Sequence, residues 1–197
     1  MVVAATIGVA ALAALVVALV GLAVSDGGPA LRADPVEPAR DAPLTRGRDQ
    51  EGSQVAVPAA GRPALVTFLF AECPDVCPLV AEEISQALDR VGPGADEIDV
   101  VAVSVDPAGD TPAAVRSFLR RHRLEGRMRY LIGSEAELAP IWKAWFVAAQ
   151  SADEARSTHS ARVVLVDREG RQAGAYSAGI PIAIDDLAAD IRTLTDG

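Results

Sequence analysis

Residues 63–92 read "PALVTFLFAECPDVCPLVAEEISQALDRVG", and the reading of this stretch decides the fold. Its first eight residues, 63–70, form a continuous apolar run, the pattern of a strand buried on both faces. From Val80 onward the apolar residues recur at helical spacing, at Val80, Ile84, Ala87, Leu88 and Val91, and Gly92-Pro93 ends the helix. Between strand and helix lie the only 2 cysteines of the chain, Cys73 and Cys77. Each is followed by a proline, Pro74 and Pro78, which restricts the loop around it. A strand that turns directly into a helix sets both thiols beside the positive end of that helix, where a thiolate is favoured.

Outward from this unit the pattern continues. "SQVAVP", just upstream, predicts a short edge strand. Downstream, "IDVVAVSV", 98–105, predicts a second buried strand. "DPAGDTPAAVRSFLRRH" follows, with Asp110 or Thr111 able to cap a helix whose first turn accepts Pro112. "RMRYLIG" is a third strand candidate, and "SEAELAPIWKAWF" a third helix with Ser134 as its cap. In that helix Trp142 and Trp145 stand three apart, so one is expected in the core and the other half-exposed. "ARVVLVDREGRQAGAYSAG" predicts a hairpin, with a strand at 161–166, a turn around "DREG" and a strand at 171–176. "IDDLAADIRTL" is the closing helix. Helical crossovers give parallel strands and the hairpin adds an antiparallel one. The expected architecture is α/β, a central mixed sheet with flanking helices, opening on a strand–Cys–helix unit: a thioredoxin-like fold.

The chain carries a formal net charge of −9 over 197 residues. It shows no basic stripe, so nucleic acid is a poor partner. Residues 1–24, "MVVAATIGVAALAALVVALVGLAV", hold no charge and are long enough to span a bilayer as a helix. An uncleaved membrane anchor is expected there, with a signal cut near "AVSD" as the other possibility. No cysteine stands at its end, which argues against a lipoprotein anchor. Arg32, Arg40, Arg46 and Arg48 follow the segment and no Lys or Arg precedes it; charge alone would therefore leave the following domain in the cytoplasm. Residues 25–50 are rich in Pro, Gly, Asp and Arg, and read as a flexible tether. Residues 51–197 are then the folded domain.

Two thiols four residues apart are either a redox couple or two ligands of a metal. A structural disulfide would close a very short loop and stabilise little. A metal would need a third ligand, and the chain has 2 histidines. His122, in the arginine-rich "RRHRLEGR", reads as a solvated surface residue. His159 stands directly before the strand of the hairpin, near the Cys loop in this fold. A structural zinc site would want four protein ligands. Two soft thiolates and one imidazole suit copper, above all Cu(I).

The motifs "TFLFAECPDVCPLVAEEISQAL", "VVAVSVDPAGDTPAAVRSFL" and "HSARVVLVDREGR" resemble the Sco (SenC) family of copper proteins, over roughly residues 51–195. The family assists assembly of the dinuclear copper (CuA) centre of cytochrome c oxidase. The resemblance implies that Cys73, Cys77 and His159 ligate copper, and that Asp75 shapes the loop between the cysteines. Asp106 and Asp110 match the family's signature as turn and capping residues, not ligands. Glu72 places a carboxylate beside the thiols, which disfavours thiolate. The resemblance also implies a soluble domain outside the cytoplasmic membrane, against the charge pattern. Its partner would be the copper-bearing oxidase subunit or another copper carrier. A thiol–disulfide oxidoreductase, with Cys73 attacking and Cys77 resolving, is the alternative. A peroxide reductase ranks last, because Thr67 lies six residues before Cys73, on the strand.

Overall fold

The computed structural model describes residues 30–147, 162–177 and 180–196. Strand β3 (Ala64–Leu69) is buried at every residue. It lies between β4 (Asp99–Ser104), which runs parallel to it, and β6 (Arg162–Val166), which runs antiparallel. Leu65 pairs with Val100 on one side and Leu165 on the other. The rest of the sheet is built outward from this centre. β5 (Arg129–Ile132) adds parallel to β4, and β7 (Gln172–Ser177) pairs with β6 as the expected hairpin. β1 (Thr45–Asp49) and β2 (Gln54–Val57) complete a seven-stranded mixed sheet of order β2-β1-β5-β4-β3-β6-β7.

Alternation along β3 divides the core. Leu65 and Leu69 belong to one apolar cluster, and Ala64, Val66 and Phe68 to the other, as the two-residue period of a strand requires. The first cluster takes in helices α1 (Val76–Val91), α2 (Pro112–Arg121) and α4 (Ile184–Asp196). The second takes in α3 (Glu135–Trp145). The helices start and stop where the residues dictate. Thr111 caps α2, its hydroxyl accepting from Ala114 N at 3.2 Å. Ser134 opens α3, with its N–H donating to Glu137 Oε2 at 2.8 Å. Gly92 ends α1 at a φ of 76°, a conformation glycine adopts without steric cost.

The stretch read as a tether differs from that expectation. Residues 45–49 are strand β1, paired to both β2 and β5. Upstream, Asp34 forms an antiparallel bridge with Ala175 and Asp41 with Arg171. Ala33, Val36 and Ala42 are buried. Asp190, itself 0% exposed, accepts from Arg32 N at 2.8 Å, Ala33 N at 2.9 Å and the Tyr176 hydroxyl at 2.6 Å. A side chain on Gly174 would meet Ala33 Cβ at 2.8 Å, so glycine allows this close approach. The backbone bonds to β7 and the buried carboxylate order a segment whose composition alone predicts a loose chain.

Both tryptophans are buried, each 5% exposed; the half-exposed position expected for one of them is covered. Trp142 Nε1 donates to Ser104 O at 2.8 Å and Trp145 Nε1 to Thr45 Oγ1 at 2.7 Å. Among the described residues no helix is long and apolar enough to cross a membrane. Residues 1–24, the expected anchor, lie outside the described residues.

Candidate functional site: the Cys73–Cys77 pair

β3 ends at Leu69 and α1 begins at Val76, so the thiol-bearing turn is a short link between a rigid strand and a rigid helix. Cys73 N donates to Phe70 O at 3.2 Å, which closes the turn. Cys73 is 9% exposed and Cys77 2% exposed, and both thiols are free. The N-cap position of α1 is Asp75, whose side chain makes no capping bond. The sulfur of Cys73 does that work instead: Cys77 N donates to it at 3.5 Å. Unpaired amides at a helix start attract negative charge, and here they converge on a thiol. Pro78 sits in the first turn of α1, where a missing N–H costs nothing.

The two thiols are unequal. The Cys73 thiol is lowered from 9.0 to about 6, first by the hydrogen bond from the Cys77 side chain and further by the Asp75, Val76 and Cys77 backbone. Burial opposes this shift. Cys77 is pushed up, first because it supplies the proton in that hydrogen bond and then because it is buried. The hydrogen bond between the two side chains thus favours negative charge on Cys73 and keeps the proton on Cys77.

Glu72 and Asp75 are exposed beside the turn. Asp106 is a turn residue as expected: its carboxylate accepts from Gly109 N at 3.0 Å. Asp110 departs from the capping role. Thr111 is the cap, and the Asp110 carboxylate turns inward to accept from Ala71 N at 2.7 Å and the Tyr130 hydroxyl at 3.1 Å. Burial raises its pKa to about 6. Arg121 reaches the same residue through the next peptide, donating to Ala71 O at 3.4 Å. The "DPAGDTP" motif marked Asp110 for attention; neither its partner Ala71 nor Tyr130 carried any signal in the sequence.

His159 lies outside the described residues, and among the described residues no three His, Cys, Asp or Glu side chains gather as a metal site. His122 is not a solvated residue. Its side chain is 15% exposed, its ring lies 4.6 Å from that of Phe118, and Nδ1 stands 3.9 Å from Glu82 Oε2. Burial lowers its pKa. The apolar contact with Phe118 outweighs the hydration its arginine-rich neighbourhood suggests.

A mixed sheet flanked by helices, with a thiol pair where the central strand runs into a helix, defines a protein of thioredoxin-like fold. The SCO1/SenC family model matches residues 46–196, and the chain belongs to that family. It is 28% identical over 110 residues to the protein SenC of Rhodobacter capsulatus, covering 54% of this chain and 49% of that one. It is 26% identical over 141 residues to a putative copper-binding protein of Stutzerimonas stutzeri, covering 69% of this chain and 67% of the other. The chain thus spans about half to two thirds of the length of these curated relatives. Among solved structures it is similar to Bradyrhizobium japonicum ScoI with copper bound. There the TM-score is 0.66 at 28% identity, with 79% of this chain and 99% of the other covered.

Proposed function

We propose that this protein binds one copper ion through Cys73, Cys77 and His159 and passes it to the CuA-bearing subunit of cytochrome c oxidase. The observation that carries the reading is the thiol pair itself. Two free, buried cysteines stand on the turn into α1, with Cys77 N donating to the Cys73 sulfur, in a chain of the SCO1/SenC family. Copper is the cargo here, not a resident cofactor. Loading Cu(I) releases the remaining thiol proton, because the ligand is the thiolate. Thiolate and imidazole match the softness of Cu(I). Transfer is ligand exchange onto the partner's own donors. A solved relative holding copper supports the cargo. The uncharged residues 1–24 support a membrane anchor, with the domain on the extracytoplasmic side in line with the family resemblance.

The test uses the full chain in detergent, reduced and anaerobic, titrated with Cu(I) against a competing chelator. One equivalent is expected to bind tightly. His159→Ala weakens it, and Cys73→Ser with Cys77→Ser abolishes it. Absence of tight copper, or an unchanged affinity in His159→Ala, overturns the three-ligand site.

The inequality of the thiols favours a second reading, thiol–disulfide exchange with an extracytoplasmic protein. Cys73 thiolate would attack a partner disulfide, forming a mixed disulfide and expelling one partner thiolate. That thiolate takes up the Cys77 proton, and Cys77 then displaces the second partner sulfur. The second partner sulfur leaves as a thiolate that takes a proton from solvent, so the partner is reduced to two thiols and Cys73–Cys77 is oxidised to a disulfide, two electrons passing between them. This reading tolerates loss of His159. Reduction of a model disulfide at equal rates by wild type and His159→Ala, with no tight copper binding by the wild-type chain, would establish it over the first.

A further inference from the structure

The turn that carries Cys73 is anchored from outside itself. The last ladder bond at the end of β3 runs from Val105 N to Leu69 O, 3.0 Å. Two residues further on, Ala71 is 2% exposed and has left the sheet. Its N–H is held by Asp110 and its carbonyl by Arg121, residues 39 and 50 positions away. The carboxylate that holds the amide is 4% exposed and is braced by Tyr130, which is 0% exposed. The loop presenting Asp110 is itself tight. Asp110 N donates to Asp106 O at 2.9 Å, and a side chain on Gly109 would strike Asp106 Oδ2 at 2.3 Å. Burying a carboxylate to satisfy one amide is costly, since a hydroxyl could accept the same bond without a charge to desolvate. A charge-assisted bond is stronger and shorter, and it falls on the peptide two residues before Cys73.

We infer that Asp110 is a positioning residue for the Cys73–Cys77 pair: by clamping the Ala71 amide it sets the turn that aims the Cys73 sulfur at the start of α1. The inference rests on the pair being the working site, which both readings above share, and not on copper.

The test uses the full chain, reduced and metal-free. Two quantities are read: hydrogen exchange of the Ala71 amide, and the ratio of Cys73 to Cys77 labelling by iodoacetamide at neutral pH, from peptide mapping. Asp110→Ala is expected to speed Ala71 exchange and to cut the labelling ratio, each by about tenfold, the size of one lost charge-assisted bond. Asp110→Asn keeps both within about threefold of wild type, because its amide oxygen accepts from Ala71 and its NH2 donates to the Tyr130 oxygen. Arg121→Met, on the protein surface, loosens the following peptide at the Ala71 carbonyl and lowers the ratio by about threefold. The inference is overturned if Asp110→Ala leaves both readings at wild type. It is equally overturned if Asp110→Asn shifts the ratio as far as Asp110→Ala does, which is the mark of charge without a clamp. Should Asp110→Ala fail to fold, wild-type readings in Arg121→Met, or a tenfold shift in Asp110→Asn, overturn it. Failure of the copper reading shows separately, as weak Cu(I) binding by a wild-type chain whose labelling ratio is intact.

Discussion

Cys73 is a thiol whose sulfur takes the place of a helix cap. Its pKa is lowered to about 6, so thiolate forms as pH rises through that value. The rate of Cys73 alkylation is therefore expected to climb to a plateau with its midpoint near pH 6, measured by stopped aliquots and mass spectrometry. Cys77→Ala removes the first cause of the shift and moves the midpoint up by about one to two pH units, the worth of a hydrogen bond to a charged group. Asp110 behaves in the opposite sense. Its pKa is raised from 3.8 to about 6 by burial, so the stability it contributes is full below about pH 4 and is lost as pH rises through 6. Asp110→Asn carries no charge to desolvate; its stability relative to wild type is expected to grow between pH 4 and 7, followed by urea unfolding across that range. At this scale the thiols were legible, because four-residue spacing before a helix is written in the chain. Asp110 was singled out but misread as a cap, because its contact with Ala71 spans 39 positions and leaves no periodic trace.

The elements that a pattern can announce were announced. β3, β4 and β5, the hairpin of β6 and β7, and helices α1 to α4 stand where periodicity and caps put them. β1 was missed. "TRGRD" holds no large apolar residue, and only Thr45 and Asp49 are buried in it. The Asp49 carboxylate makes up for this by accepting from Glu51 N and Ser53 N, which shapes the turn into β2. That omission explains the misjudged tryptophan, since Trp145 is covered by Thr45 of this strand. Trp145→Ala is expected to destabilise the fold by about 3–5 kcal/mol, as for other buried tryptophans, and Thr111→Ala by about 1 kcal/mol through loss of the α2 cap. Chemical denaturation of each variant measures both. A Trp145→Ala cost near zero would show that β1 does not seal that side of α3.

At the scale of the molecule, the outer edge of the β6–β7 hairpin is bridged at Ala175 by Asp34 and at Arg171 by Asp41. Residues 31–42 run along it and are held at Asp190, so the folded unit begins at Leu31. A chain shortened to start at residue 45 strips Asp190 of the bonds from the Arg32 and Ala33 amides. Two bonds to a charged group are worth about 3–6 kcal/mol. The truncated protein is accordingly expected to melt well below one that starts at residue 30, and Asp190→Ala to reproduce much of the loss. Equal melting temperatures by calorimetry would mean that the strap contributes nothing.

The sequence by itself determined the order of elements, the burial of β3 on both faces, the parallel core with its antiparallel hairpin, and the thiol pair at a strand–helix junction. These follow from local propensity and from hydrophobic period, which act over a few residues and are visible along the chain. The tertiary structure alone decided that a Pro- and Asp-rich segment straps the sheet, that "TRGRD" is a strand, and that Asp110 holds the turn before Cys73. Each of these depends on hydrogen bonds between groups far apart in the chain, where a buried amide must find an acceptor wherever the fold supplies one.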